Sequence, residues 1–199
     1  SQIIAQLAST DRVDILVAFL KYSGLVRILP HLEELVGRGG TIRVITTSYM
    51  GASDSKAVER LAGLPNTQLR VSYDTENTRL HAKAWMFWRN SGYSTALVGS
   101  SNLTRPAMTQ GLEWNLRVSA IESPAVFDKF HKTFETYWAD PHFEPFDADR
   151  FAVATARAID DSIATPFSIE PYPFQRQILE QLEVERRRGR NHNLVVAAT

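Results

Sequence analysis

The chain is predicted to fold as an α/β domain with a mixed central sheet and helices on both faces, and two observations predict it. Short apolar runs rich in β-branched residues alternate with amphipathic patterns over the first seventy or so positions, the rhythm of strands separated by crossover helices. From Leu80 onward that rhythm gives way to strand, turn and strand with no helix between, so part of the sheet must be antiparallel.

Asp14–Leu20 (DILVAFL) reads as a buried strand. Gly24–Val36 reads as a helix, interrupted early by Pro30 and closed by Gly39-Gly40. Thr41–Thr47 (TIRVITT) is the next strand, Ser53–Leu64 a helix capped by Ser53 or Asp54, and Thr67–Tyr73 an alternating third strand. Strand, helix, strand, helix, strand implies parallel pairing through right-handed crossovers. Leu80–Trp88 and Thr95–Gly99 form two strands joined by the turn Arg89-Asn90-Ser91-Gly92, and Glu113–Ala120 is a further strand. Pro124–Trp138 is an amphipathic helix with Pro124 in its first turn. Pro141–Pro145 marks a break, Asp147–Ile159 reads as a helix, and the proline-bearing stretch Asp160–Pro173 as a linker. A last helix, Pro173–Arg188, precedes the short apolar run Asn193–Ala198. The organisation expected is a domain over 1–146, a helix and linker over 147–170, and the start of a second domain over 171–199.

Composition bounds the chemistry. Among 199 residues, 22 Lys and Arg balance 22 Asp and Glu, so no global charge draws the chain to a polyanion. With no cysteine, a disulfide framework, a thiolate zinc site and a cysteine nucleophile are all excluded. No apolar run reaches the roughly 18–20 residues needed to span a bilayer, and the first residues lack a signal-peptide pattern. A cytoplasmic protein without a membrane partner is expected.

The informative segment surrounds His81. On a strand, His81 and Lys83 emerge from one face, because side chains alternate with period two. An isolated His-x-Lys is more often a half-buried histidine beside a solvated lysine. Its surroundings argue otherwise: from Asn77 to Arg117, Arg79, Lys83, Arg89, Arg105 and Arg117 stand against Glu113 alone. Val98-Gly99-Ser100-Ser101-Asn102 then ends a strand in a small, hydrogen-bonding turn suited to an oxyanion. Trp85 and Phe87 share the His81–Lys83 face, where packing is the expected role for most of the aromatics and base stacking a second use.

These residues resemble the phospholipase D superfamily, whose signature is His-x-Lys-x4-Asp followed by Gly-Ser-x-Asn. His81, Lys83, Gly99, Ser100 and Asn102 match it directly, and Glu113 lies where superfamily nucleases place a carboxylate that orients the histidine. The motif aspartate would fall at position 88, which is Trp88 here, and the gap between the two motif halves is longer than in compact members. The resemblance implies a phospholipase D-like α/β/α sandwich and a phosphodiesterase that needs no cofactor or metal. His81 would attack phosphorus to form a phosphohistidine, and a second imidazolium would protonate the leaving oxygen. Lys83, Asn102 and amides near Ser100 would neutralise the phosphoryl oxygens, and Glu113 would fix the tautomer of His81. Such a site needs two His-x-Lys motifs. His31, His131, His142 and His192 begin none, so a homodimer pairing two His81 rings is implied.

The end of the chain carries a second resemblance. Pro171-Tyr172-Pro173-Phe174-Gln175-Arg176-Gln177 with Asn193-Leu194-Val195-Val196-Ala197-Ala198-Thr199 looks like the opening of a superfamily 2 DEAD/DEAH-type helicase core. There Gln175 would contact adenine, and ATP and magnesium would belong to the full helicase alone. The arginines at 186–188 and 190 read as a solvated helix end. A helicase fusion points the nuclease toward nucleic acid, DNA before RNA. The alternative reading, which Trp88 in the aspartate position favours, is a catalytically silent nucleic-acid-binding or dimerisation module of a helicase.

Overall fold

The computed structural model describes residues 2–74, 80, 83–99, 115–163 and 173–190. Two compact units divide the chain, 1–163 and 164–199.

The first unit is built on a seven-stranded sheet. In chain order its elements are α1 (Gln2–Leu7), β1 (Arg12–Leu16), α2 (Tyr22–Gly37), β2 (Thr41–Thr47), a 3-10 turn at Tyr49–Gly51, α3 (Ser55–Ala62), β3 (Thr67–Ser72), β4 (Ala84–Trp88), β5 (Thr95–Gly99), β6 (Asn115–Ser119), α4 (Pro124–Ala139), β7 (Glu144–Pro145) and α5 (Ala148–Ile163). The spatial order is β6-β5-β4-β1-β2-β3-β7. β1, β2 and β3 run parallel; β4 pairs antiparallel with β1, and β5 and β6 continue antiparallel. The mixed α/β sheet expected from the sequence is therefore the one observed.

Alternation along each strand sorts the core into two layers. Val13, Ile15, Val44, Val71, Trp85, Phe87 and Leu97 face one side, where Leu25, Ile28, Leu32 and Leu35 of α2, Ala57, Val58 and Leu61 of α3, and Phe151 of α5 cover them. Leu16, Ile45, Met86, Ala96 and Val118 face the other side, covered by Phe127 and Phe134 of α4. The three- and four-residue spacing of those α2 leucines and isoleucine is the helical stripe that docks on a sheet.

Several boundaries differ from those expected, each for a local reason. β1 ends at Leu16, because the chain beyond it leaves the ladder for buried turns, with only Val17 N–H still bonded to Ile45 C=O at 3.1 Å. Pro30 does not interrupt α2, which runs through it to Gly37. Pro30 lies on the exposed side, where water can serve the carbonyl left without its helical donor. β7 occupies the segment expected as a break; two residues are too few for a periodic signal, and Pro145 is tolerated because the strand is an edge. The sequence draws a boundary at 146, and the first compact unit extends to Ile163 with Phe151 of α5 fully buried. In the second unit α6 (Pro173–Arg187) ends in exposed arginines paired along the helix, Arg187 to Glu183 and Arg188 to Glu185. Among the described residues no helix is long and apolar enough to cross a membrane.

α2 ends in a Schellman turn. Gly40 N–H bonds Leu35 C=O at 3.0 Å and Gly39 N–H bonds Val36 C=O at 2.9 Å, with Gly39 at φ +85°. A Cβ on Gly39 would meet open space, so Gly39→Ala will cost only the left-handed backbone penalty, about 1 kcal/mol. A Cβ on Gly40 would lie 2.8 Å from Leu35 O and 2.9 Å from Asp11 O. Gly40→Ala will therefore cost more, about 3 kcal/mol. Urea unfolding of both variants checks the order; a smaller loss for Gly40→Ala contradicts it.

Candidate functional site

β1 is the switch strand of the sheet: the chain leaves it toward β2 on one side, while β4 pairs on the other. The carboxyl ends of β1, β2 and β3, the start of β4, the end of β5 and the start of β6 meet at one end of the sheet, where α/β folds build sites. Lys83 and Gly99, one from each half of the motif, come together there. Lys83, half-buried just ahead of β4, accepts a hydrogen bond at its carbonyl from Gly99 N–H at 3.1 Å, and Gly99 lies in register with Asn115 of β6. Lys83, immediately ahead of β4, thus lies beside Gly99 of β5, which in turn lies beside Asn115 of β6. His81, Ser100, Asn102 and Glu113 lie outside the described residues, as does the Gln175 side chain, although Gln175 falls within α6.

The floor beneath Lys83 is apolar on one face. Trp85 and Phe87 are buried and stacked with ring centroids 6.2 Å apart, so both serve the core. Beside it lies a shelf of buried hydroxyls that the sequence did not flag. Ser48 Oγ donates to Ser72 C=O at 3.3 Å, and Thr47 Oγ1 accepts from Tyr49 N–H at 3.0 Å. Ser53 Oγ accepts from Leu20 N–H at 3.1 Å. The signal available was Thr46-Thr47-Ser48, a polar ending on an otherwise apolar strand. Asp54 precedes α3, yet its side chain does not cap that helix. Its carboxylate accepts from Tyr22 N–H at 2.9 Å and pairs with Lys21 Nζ at 3.0 Å, capping α2 instead.

Not all of the basic run is available to a ligand. The Arg89 guanidinium donates to Ser9 Oγ, Tyr93 C=O, Thr95 Oγ1 and both oxygens of Gln6, so it fastens α1 to the β4–β5 turn. Among the histidines, His131 lies edge-on to Trp88 and 3.4 Å from Glu135, and His142 Nδ1 is 2.7 Å from Asp140. Both make local structural contacts. Among the described residues no group of three or more His, Asp or Glu could hold a metal ion.

Trp88, at the motif aspartate position, donates from Nε1 to Asp14 Oδ2 at 2.7 Å. Asp14 is completely buried on β1 and takes two bonds of 2.8 Å from Arg43, with Arg12 Nη2 at 3.2 Å. Arg43 reaches on to Glu135 of α4 at 2.6 Å. Burial alone would lower the Arg43 pKa, but hydrogen bonds to Asp14 and Glu135 outweigh it and hold the pKa above its ordinary value. The Arg43 hydrogen bond holds Glu135 below the usual carboxylate range against its partial burial.

A family model described as "Cardiolipin synthase, PLD-like domain" matches residues 3–138. The chain belongs to the PLD-like domain family. Solved structures share the architecture of this PLD-like domain at low identity. NucT from Helicobacter pylori is 14% identical with a TM-score of 0.54, the match covering 73% of this chain and 89% of that one. Nuc from Salmonella typhimurium, a phospholipase D family member, is 17% identical with a TM-score of 0.51, over 73% and 88% of the two chains. Polyphosphate kinase from Porphyromonas gingivalis is 12% identical with a TM-score of 0.52, over 82% of this chain and 26% of that one. Together they show that the PLD-like domain has the phospholipase D fold. No curated protein matches the sequence.

Asp14→Ala in the PLD-like domain will cost about 3 kcal/mol, since it takes their shared acceptor from Arg43, Arg12 and the Trp88 indole N–H at once, whereas Trp88→Phe, which removes one donor, will cost about 1 kcal/mol. Chemical denaturation measures both; equal losses would show that the carboxylate is not the centre of the network. Glu135, with its folded pKa depressed, contributes stability that is present above its unfolded pKa and lost as pH falls through the folded one. Glu135→Gln will therefore narrow the stability difference between pH 7 and pH 3, read from unfolding curves at the two pH values.

Proposed function

We propose that this PLD-like domain is a phosphodiesterase that cleaves nucleic acid, DNA in preference to RNA, through a phosphohistidine intermediate on His81 and without a metal. The observation that carries this reading is the hydrogen bond from Gly99 N–H to Lys83 C=O, because it sets the lysine of the His-x-Lys pattern beside the glycine of the Gly-Ser-x-Asn pattern. In the first half-reaction the neutral His81 imidazole attacks phosphorus while a second imidazolium protonates the leaving oxygen. In the second, water attacks the phosphohistidine, gives its proton to the second imidazole, and releases His81. Lys83, Asn102 and amides near Ser100 neutralise charge on the phosphoryl oxygens, and the Glu113 carboxylate fixes the His81 tautomer. The second imidazole comes from His81 of another copy, so the working species is a homodimer with both rings near the twofold axis. The Pro-Tyr-Pro-Phe-Gln segment at 171–175 supports a parent protein in which this domain precedes a helicase core, with Gln175 reading adenine and ATP and magnesium serving that core. One feature favours a second reading, a silent nucleic-acid-binding or dimerisation module: Trp88 stands where the motif has aspartate.

Cleavage of single- and double-stranded DNA in EDTA separates the two. Activity will persist in EDTA and vanish in His81→Ala with nucleic-acid affinity nearly unchanged. Lys83→Ala will weaken binding and turnover together, since the ammonium meets phosphate in ground and transition states alike. Glu113→Gln will lower the rate by about 10²- to 10⁴-fold while the dimer persists. Wild-type cleavage by His81→Ala ends the enzyme reading. A requirement for added magnesium ends the metal-free mechanism.

A further inference from the structure

The sheet has two edges, and they are treated differently. β7 covers β3 over Arg70 and Val71. At the other edge β6 pairs, among the described residues, with β5 alone. The direction of its backbone groups follows from two hydrogen bonds. Gly99 N–H to Lys83 C=O turns the odd-numbered residues of β5 toward β4, and Ala120 N–H to Ser94 C=O turns the even-numbered ones toward β6. Antiparallel alternation then spends the even-numbered residues of β6 on β5, and directs the N–H and C=O of Arg117 and the N–H of Ser119 outward. The Ser119 carbonyl already accepts from Ser123 N–H at 2.9 Å.

Large apolar side chains are exposed on this strand and on elements next to it in the chain. Leu116 is 63% exposed on β6, Ile121 61% just after it, Tyr93 68% in the β4–β5 turn and Val126 44% in the first turn of α4. At the centre of the strand the Arg117 side chain is exposed, with no carboxylate paired to it among the described residues. Its charge is felt nearby: after burial, Arg117 is the next cause that lowers the Arg89 pKa.

We propose that the β6 edge docks an extended acidic segment of a partner protein, which adds to the sheet as a further strand. Its backbone pairs with Arg117 and Ser119, a carboxylate faces the Arg117 guanidinium, and apolar residues on either side cover Leu116 and Ile121. Charge selects this occupant over the others. A second copy related by a twofold axis through the middle of β6 would set two Arg117 guanidinium groups against each other. A DNA backbone would answer the charge, but it carries acceptors only and leaves the Arg117 carbonyl without a donor. An open strand with apolar flanks is an aggregation hazard unless something pairs with it.

The test uses the full chain and two synthetic peptides, Ser-Val-Thr-Val-Glu-Val-Thr-Ser and the same sequence with Lys for Glu. Fluorescence anisotropy will show the Glu peptide binding about tenfold tighter than the Lys peptide, as expected for one cross-strand charge pair turned from repulsive to attractive. Arg117→Glu will reverse that preference, and Arg117→Gln, the milder change should the first variant unfold, will abolish it. Amide hydrogen exchange at Arg117 and Ser119 will slow when the Glu peptide binds. Equal affinity for the two peptides, unchanged exchange at Arg117, or a concentration-dependent dimer that protects Arg117 without any peptide would each overturn the proposal. Full displacement of the bound peptide by a DNA oligonucleotide, with the same protection at Arg117, would assign the edge to nucleic acid instead.

Discussion

A single buried carboxylate holds the central strands of this domain to each other and to the helix above them. Asp14 lies on β1, the strand shared by the parallel and antiparallel halves of the sheet, and no part of its side chain reaches solvent. Stripping a carboxylate of water costs several kcal/mol, and only dense hydrogen bonding offsets that. Here the donors come from β1 itself through Arg12, from β2 through Arg43 and from β4 through Trp88. Arg43 extends the network to Glu135 of α4 and lies over the rings of Phe134 and Trp138. Moving β4 along β1 by one residue would break the Trp88 contact and turn the Trp85–Phe87 face outward. The network therefore specifies which face β4 presents, as well as adding stability.

That register bears directly on the candidate site. Lys83 precedes β4 by one residue, so its placement is inherited from the pairing of Ala84 with Leu16 on one side and with Val98 on the other. The parallel half of the sheet contributes differently. At the end of β2 the hydroxyls of Thr46, Thr47 and Ser48 bond to backbone nearby, Thr46 Oγ1 donating to Ala18 C=O, Thr47 Oγ1 accepting from Tyr49 N–H and Ser48 Oγ donating to Ser72 C=O. The turn after β1 is tied to the one after β2 through Ser53 and Asp54. A rigid rim of this kind suits a site whose reacting groups must keep a fixed separation.

The two outer strands show how such a sheet ends. β7 is only two residues long and contains a proline, which blunts further pairing on that side. β6 is longer, carries outward amides and is flanked by exposed apolar side chains, so it has no comparable protection among the described residues. The asymmetry places the unguarded edge on the strand whose first residue, Asn115, adjoins Gly99 at the candidate site.

The sequence alone determined the class of fold and the identity of most strands, because period-two and period-3.6 patterns are local and the apolar runs are strong. Strand β5 and the start of α4 fall where the pattern puts them, since a turn and a proline punctuate them. The motif pattern could be picked out for the same reason, since its spacing is short, and of its residues Lys83 and Gly99 meet through a backbone hydrogen bond. Tertiary structure decided what depends on distant partners. Asp14 reads locally as the polar opening of a strand, and only packing surrounds it with Arg43, Trp88 and Arg12 from three strands. Asp54 sits at the start of its own helix, yet it caps another, because a capping bond depends on which amide lies nearest in space. Arg89 counts as a cation in the sequence and becomes a fastener in the fold once every donor finds a partner. β7 exists only because β3 is there to pair with it. Local chemistry wrote the elements and the motif; long-range contacts chose which polar groups hold the sheet and which remain exposed at its edge.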